Sequence, residues 1–308
     1  MTALEPTTGL ERLRRRWFHL APKVRGAIWI LIHVAVITVM VVFVKLLGRD
    51  VPTVELVFFR AAVGLLVILP FVIRAGRVAV ATEHMGMHLL RALLTFGSMM
   101  AFYFTFARLP LADATAMVFT MPLFLIVLAV LFLGERVRLR RTAATVTGFL
   151  GVLIVLRPGG AALDPVMIVA LTIGLSDAAV AVVVKKLAGT ERPVTIIFYL
   201  SLFVLAFAAV PAFFYWRDPT WLELGLLASI GALTTFAQVF SIFAWRIGET
   251  TAVAPFIYAQ LLLAALVGYL LFAEVPDIWT GVGAAVIAAS TFYIMRREAK
   301  LKATGRRP

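Results

Sequence analysis

Apolar residues occur along this chain in long continuous runs, and short segments that contain Lys, Arg, Pro or Gly separate the runs. A run of roughly 20 apolar residues is long enough for a helix to cross a hydrocarbon core of about 30 Å. The runs lack the alternation of apolar and polar residues that a transmembrane β-strand requires, so helices are the predicted spanning structure. Ten spans are predicted, at about 27–47, 53–73, 89–109, 112–133, 141–156, 166–185, 194–214, 223–245, 251–272 and 278–295.

The pattern of spans repeats once along the chain. The segment 45–52, between the first two spans, returns in similar form at 186–193, between the sixth and seventh spans. In each half a glutamate follows a later apolar run. Glu135 stands 90 residues beyond Lys45 in the first half, and Glu274 stands 88 residues beyond Lys186 in the second. Because each half holds an odd number of spans, the second half is predicted to be inverted in the membrane, an arrangement typical of transporters.

The predicted fold class is therefore an all-α integral membrane protein with ten transmembrane helices in two inverted five-helix repeats. Four parts follow from the same pattern. They are a basic N-terminal segment at 1–26, a first repeat at 27–159, a second repeat at 160–296 and a basic tail at 297–308.

Lys and Arg are concentrated on one side of the predicted spans. With the N-terminus inside, 23 of the 29 Lys and Arg residues fall in inner segments, as in the cytoplasmic loops of membrane proteins. Both termini are therefore predicted to be cytoplasmic, with the protein in the inner membrane of a bacterium. The net charge of +13 lies at span ends and in the tails, which favours anionic lipid headgroups as partners and not nucleic acid.

Composition agrees with a membrane protein. The chain is 62% hydrophobic, whereas a soluble domain is roughly 45–50% apolar. It contains no Cys, which excludes disulfides and thiolate metal sites. No metal or other cofactor is predicted.

Several short segments resemble the EamA family of the drug/metabolite transporter superfamily. They are 107–116, 121–122 and 133–136 in the first half and, more weakly, 248–252, 258–260 and 272–274 in the second. The resemblance covers about residues 27–295. It implies a ten-helix carrier of small organic metabolites, with its cavity between the halves and with substrates such as amino acids, riboflavin, S-adenosylmethionine-like compounds or drugs.

Two charges inside the predicted spans are the first candidates for binding residues, because a charge near mid-membrane costs roughly 2.5–3.5 kcal/mol on insertion scales. At about 1.5 Å per residue, Arg60 and Asp177 lie at similar depths below the outer ends of the second and sixth spans. Both are expected to face the interior, either as an ion pair that holds helices together or as groups that bind a zwitterionic substrate. Asp177 is also a candidate for proton coupling.

Uncharged polar residues extend this set. Gln238 and Gln260 lie at similar depths in adjacent spans and can donate and accept hydrogen bonds. They are predicted to contact substrate, and hydrogen bonding between helices is the alternative role. Tyr103 and Ser98 of the third span are further candidates.

Prolines and glutamates complete the prediction. Pro122 and Pro255 interrupt the corresponding fourth and ninth spans, and paired helix breaks of this kind point to a site at the interface between repeats. Simple bending of the two helices is the alternative role. Glu55 lies near a span end, where a rim contact is predicted. Glu135 and Glu274 lie beyond apolar runs, where structural end caps or gate contacts are predicted.

Two other classes of membrane protein compete with a carrier: an intramembrane enzyme, and a receptor or channel subunit. The segment 174–177 faintly resembles the motif of aspartyl intramembrane proteases, but the second glycine and a partner Tyr-Asp pair are missing. The inverted duplication favours a carrier over both alternatives, and an enzyme is not predicted.

Overall fold

The structure is a computed structural model that describes residues 22–48, 50–133, 139–156, 165–187, 190–247, 256–257, 259–275 and 277–303. Within these ranges the regular secondary structure is entirely helical. The α-helices are α1 Pro22–Leu47, α2 Thr53–Ala75, α3 Met85–Arg108, α4 Leu111–Val118, α5 Met121–Leu133, α6 Leu139–Leu156, α7 Pro165–Leu187, α8 Pro193–Tyr215, α9 Trp221–Ile247, α10 Ala259–Phe272 and α11 Ile278–Ala303. A short 3-10 helix, Gly76–Ala79, lies between α2 and α3.

Seven segments of the described chain are long and apolar enough to cross a membrane. They are Val24–Leu47, Thr53–Ala75, Met85–Arg108, Leu111–Phe132, Pro165–Val184, Val194–Tyr215 and Trp221–Ser241. Two shorter apolar segments follow, Ala259–Phe272 in α10 and Ile278–Ser290 in α11. The prediction of an all-helical membrane protein is confirmed. The described residues contain seven full-length spans, whereas the sequence pattern predicts ten.

Prolines stand where several helices begin. Pro52 and Pro110 directly precede α2 and α4, and Pro193 is the first residue of α8. Proline has no N–H to donate, and the first turn of a helix requires no such donor. The prolines of the two repeated segments, 45–52 and 186–193, therefore mark the same structural event in each half, the start of a helix.

The predicted fourth span consists of two helices. α4 ends at Val118 and α5 begins at Met121, so two residues separate them. Thr120 Oγ1 donates a hydrogen bond to the carbonyl of Met117 at 2.7 Å. Because Pro122 has no N–H, the helical hydrogen-bond ladder cannot continue across this point. Its counterpart in the ninth span, Pro255, lies outside the described residues.

Helices from the first half of the chain pack against helices from the second. α1 packs against α9 and α7 against α3, while α2 lies against α8 and α6 against α11. The buried core draws on both halves, with large side chains such as Phe106, Met117 and Ile230. The periphery exposes large apolar side chains, among them Phe213 at 82% and Leu222 at 75%. Such a surface is suited to lipid as solvent.

α7 crosses the break between α4 and α5 at Gly174. A Cβ added to Gly174 would collide with the Thr120 hydroxyl and would lie 3.0 Å from the backbone nitrogen of Met121. Glycine is therefore required at this crossing, because any side chain would push α7 away from the broken span.

We expect Gly174→Ala to lower the stability of the protein by about 1–3 kcal/mol, the usual cost of overpacking a core. Gly225→Ala in α9 is the matched control, since nothing lies within 4 Å of the added Cβ there. That control should be neutral or slightly stabilising, because alanine favours a helix over glycine by roughly 0.5–1 kcal/mol. Thermal unfolding midpoints of the two purified variants in detergent test the prediction, and equal midpoints would contradict the tight crossing.

Candidate functional site

A cavity of about 480 Å³ lies between the two halves of the chain, enclosed by α2 and α3 from the first half and α8 and α9 from the second. This volume is within the range that holds small organic ligands. Its walls are mainly apolar, with polar side chains at six positions. The lining residues are Arg60, Ala61, Gly64, Val67, Ile68, Phe71, Arg91, Met99, Ile197, Leu200, Ser201, Val204, Thr234, Thr235, Gln238 and Val239.

The cavity extends from mid-membrane toward one end of the helices. Its residues come from the middle and C-terminal parts of α2 and α9 and from the N-terminal and middle parts of α3 and α8. These four parts meet at the end where α2 connects to α3, which we call the α2–α3 end. The opposite end, where α1 connects to α2, is called the α1–α2 end.

Arg60 is the charged group at the deeper part of the cavity. Its side chain is half-buried, and Nη1 donates a hydrogen bond to the Met99 sulfur at 2.8 Å. A thioether is a weak acceptor, and a guanidinium carries five N–H donors. Arg60 therefore keeps most of its donor capacity for other partners.

Asp177 supplies an opposite charge that acts on Arg60. One carboxylate oxygen accepts a hydrogen bond from the Ser98 hydroxyl at 2.6 Å, and the carboxylate interacts electrostatically with Arg60. Within the described residues the two charges do not come into salt-bridge contact, and Asp177 is not part of the cavity wall. The structure thus brings three predicted site residues, Arg60, Asp177 and Ser98, into one neighbourhood at mid-membrane.

Tyr103 connects this neighbourhood to the second half of the chain. Its side chain is fully buried, and its hydroxyl lies beside the side chain of Thr234. Thr234 in turn donates to the carbonyl of Ile230 at 2.7 Å. Tyr103 therefore joins α3 to α9 beside the cavity, and Thr234 is the cavity-facing member of the pair.

The two glutamines are in different surroundings. Gln238 of α9 lines the cavity, whereas Gln260, the second residue of α10, does not. The Gln238 side chain is exposed, and the Gln260 side chain is partly buried. The structure therefore groups Gln238 with Arg60 and separates it from Gln260.

Arg91 was predicted only as a charge of the inner segments, yet it lines the cavity near the α2–α3 end. Nη1 donates to the carbonyl of Ile196 at 2.8 Å, and Nε is buried without an acceptor. Sequence position alone placed Arg91 near a helix end, where a long side chain is expected to reach water. Its packing against the start of α8 depends on the tertiary structure.

A polar node made of Lys45, Glu274, Leu109 and Leu111 lies at the α1–α2 end. Lys45 forms a salt bridge with Glu274 and donates to the carbonyl of Leu109 at 2.8 Å. The other Glu274 oxygen accepts the N–H of Leu111 at 2.8 Å. Lys45 is only 8% exposed. This node joins the first half of the chain to the second at the end opposite to the cavity.

Glu274 was predicted as a structural end cap or a gate contact, and the structure places it in this node. Lys45 was not among the predicted site residues. The signal that could have found it is the repeated segment that begins with Lys45 and returns at Lys186.

The remaining predicted rim residues differ in their surroundings. Glu55 is fully buried, and one of its carboxylate oxygens accepts the backbone N–H of Arg217 at 2.6 Å. It therefore holds the connection between α8 and α9 against α2, whereas the sequence pattern suggested a position at the rim. Glu135 lies outside the described residues.

A second buried polar group lies near the α2–α3 end. His88 is almost completely enclosed, and its Nε2 is 3.8 Å from a carboxylate oxygen of Glu191. Its ring stacks obliquely on Tyr199, with centroids 5.0 Å apart. The sequence pattern gave no sign of this contact, because Glu191 is over 100 residues away in the chain.

Comparisons with known proteins identify the family. The EamA-like transporter family matches residues 24–157 and again residues 164–296. The chain is 33% identical over 276 residues to an S-adenosylmethionine uptake transporter of Rickettsia prowazekii, with 89% of this chain and 94% of that protein covered. It is 35% identical over 286 residues to a riboflavin transporter of Rhizobium johnstonii, with 89% and 91% covered.

A third relative is the pseudopaline exporter CntI of Pseudomonas aeruginosa, 30% identical over 264 residues, with 84% of this chain and 92% of that protein covered. A crystal structure of another protein shares the fold, with a TM-score of 0.59 at 18% identity over 90% of this chain and 98% of that one. The chain therefore belongs to the EamA-like transporter family, and it is a multi-pass membrane transporter, not an enzyme.

Proposed function

We propose that this protein is a secondary carrier that moves a small organic metabolite through the cavity between α2, α3, α8 and α9 by alternating access. The observation that carries the proposal is the cavity itself, whose wall is formed by both halves of the chain. A carrier binds its solute between two units that move relative to each other, and a cavity at their interface is the expected place.

The names of the relatives support a small metabolite as the substrate. S-adenosylmethionine, riboflavin and pseudopaline are the compounds in those names, and the relatives include uptake transporters and an exporter. The cavity combines apolar walls with six polar side chains. These properties suit an organic molecule that carries a few polar groups on a partly apolar body.

The distribution of contacts supports the alternating-access part of the proposal. The cavity reaches toward the α2–α3 end, while the Lys45–Glu274 node closes the α1–α2 end. A carrier that is closed at one end and accessible from the other is in one of the two states that alternating access requires. Opening the α1–α2 end would require the node to separate.

The pairing of helices supports two inverted repeats of five spans, with α4 and α5 counted as one broken span. Exchanging the halves turns α1 into α7 and α9 into α3, and the α1–α9 contact is indeed matched by an α7–α3 contact. The α2–α8 and α6–α11 contacts each join a helix to its own counterpart. A pseudo-two-fold axis between the halves produces this pattern.

We further propose that both termini are cytoplasmic and that the protein lies in the cytoplasmic membrane of a bacterium, with its basic segments against anionic headgroups. The excess of Lys and Arg on the α2–α3 side supports this orientation. The described state would then be open toward the cytoplasm.

The orientation is tested with single cysteines, since the natural chain has none. We expect an impermeant thiol reagent on intact cells to label Asp218→Cys and to spare Arg77→Cys, because both positions are exposed but lie on opposite sides. Permeabilised cells should show labelling of both. The reverse pattern on intact cells would place the cavity on the outside.

We expect Gln238→Leu to raise the apparent KM for uptake several-fold, because losing a hydrogen bond to a bound solute costs about 0.5–1.5 kcal/mol. The measurement is uptake of radiolabelled S-adenosylmethionine and of riboflavin into proteoliposomes. Ser229→Ala is the control on the same helix, since Ser229 donates only to the Gly225 carbonyl and lies outside the cavity wall. An unchanged KM in Gln238→Leu for a transported solute would remove Gln238 from the binding site.

Gln260→Leu is measured in the same assay, which tests the predicted contact between Gln260 and the substrate. A raised KM would place Gln260 in a second conformation of the site. An unchanged KM would favour a role between helices.

Breaking the Lys45–Glu274 node should expose the α1–α2 end. The reporter is Ala114→Cys, a fully buried position three residues beyond Leu111. We expect Lys45→Gln and Glu274→Gln to speed its reaction with an impermeant thiol reagent on intact cells, because removal of one partner from a buried ion pair costs about 3–5 kcal/mol.

Asp50→Asn serves as the control for this experiment, since Asp50 is an exposed acid at the same end. It should leave the labelling rate unchanged. Equal rates in all variants, with the proteins folded and active in uptake, would show that the node does not hold this end closed.

A further inference from the structure

We propose that the substrate carries an acidic group, a carboxylate or a phosphate, and that Arg60 binds this group with Arg91 as the second positive charge of the same cavity. The inference rests on the proposed function and specifies the chemistry of its binding site.

The charge of the wall is the first reason. Among the described residues that line the cavity, Arg60 and Arg91 are the ionisable ones, and no acidic residue accompanies them. The other polar residues in the wall, Ser201, Thr234, Thr235 and Gln238, are uncharged. A concave site with apolar walls strengthens the field of such charges, so an anionic group is the favoured occupant.

The unused donors of Arg60 are the second reason. Its one hydrogen bond to a described residue goes to the Met99 sulfur. Its remaining guanidinium nitrogens are not among the buried atoms that lack a partner, so they are accessible from the cavity. A guanidinium presents paired N–H groups that match the two oxygens of a carboxylate or phosphate.

Asp177 stabilises the positive charge of Arg60 without occupying its hydrogen-bond donors. A salt bridge between them would occupy the donors of Arg60, but within the described chain they make none. The carboxylate is held by Ser98 and acts on Arg60 through space. A counter-charge that acts without contact reduces the cost of placing Arg60 inside the membrane and leaves its donors free.

The experiment compares two pairs of probes that differ in an acidic group. S-adenosylmethionine is compared with its decarboxylated analogue, and riboflavin 5′-phosphate with riboflavin. Binding to the purified, full-length protein is measured by calorimetry. We expect the acidic member of at least one pair to bind about tenfold or more tightly, as a charge-assisted hydrogen bond implies. The pair that shows the preference distinguishes a carboxylate from a phosphate.

Arg60→Gln should abolish this preference by weakening the acidic probe and leaving the probe without the acidic group little changed. Arg60→Lys, which keeps the charge but loses the paired donors, should retain part of it. Arg108→Gln is the control, because Arg108 is an exposed arginine on α3 outside the cavity wall. Unfolding midpoints confirm that each variant is folded.

Two results would overturn the inference: equal binding within both pairs by the unaltered protein, or an acidic preference that survives in Arg60→Gln. Proteoliposome uptake separates this failure from failure of the proposed function. Uptake of riboflavin without any preference for acidic probes would leave the carrier intact and refute the anionic site. If the folded protein binds and transports none of the four probes, both the anionic site and the carrier proposal lose their support.

Discussion

Lipid as solvent is the constraint on which the rest of this structure depends. Inside the hydrocarbon region no water pairs with a charge or an unbonded backbone group, so the protein itself must supply every partner. The backbone meets this demand by forming helices throughout the described residues. The charged side chains meet it in two ways. Lys45 and Glu274 form a salt bridge with each other, whereas Arg60 has a single hydrogen bond, to the Met99 sulfur.

This difference distinguishes a structural group from the proposed binding group. Lys45 contacts a carboxylate and a carbonyl, and both oxygens of Glu274 are engaged. Arg60 has a thioether in contact and a carboxylate only at a distance. A buried hydrogen-bond donor without a partner is costly. A charged group that lacks partners in the protein is therefore expected where a ligand can supply them. The contrast between the two sites therefore carries more information than either site alone.

Much of the fold follows from one-dimensional properties of the sequence. Length and polarity of the apolar runs predict the spans, proline positions predict helix starts, and helical rise places Arg60 and Asp177 at similar depth. These features depend on local chain geometry, which a sequence specifies directly. Pro122 likewise marks the place where the ladder of the fourth span stops.

Side-chain partnerships between distant segments could not be predicted in this way. The sequence pattern predicts Glu55 at a rim, but the α8–α9 connection folds over it and Arg217 donates to it. The pattern places Arg91 near a helix end, where water is the expected partner, but its guanidinium turns toward the first turn of α8. In each case the partner is over 100 residues away, and hydrophobic patterns carry no information about which helix lies beside which.

The break between α4 and α5 has a mechanical consequence. α4 is attached at its first residue to the node and packs mainly against α10 and α7, whereas α5 packs mainly against α7 and does not share the contact with α10. A continuous helix across this membrane would be a single stiff rod, and a tilt at one face would be forced upon the other. Two helices joined by a two-residue break can tilt separately, so the helices at one end of the protein can move apart while those at the other end stay packed.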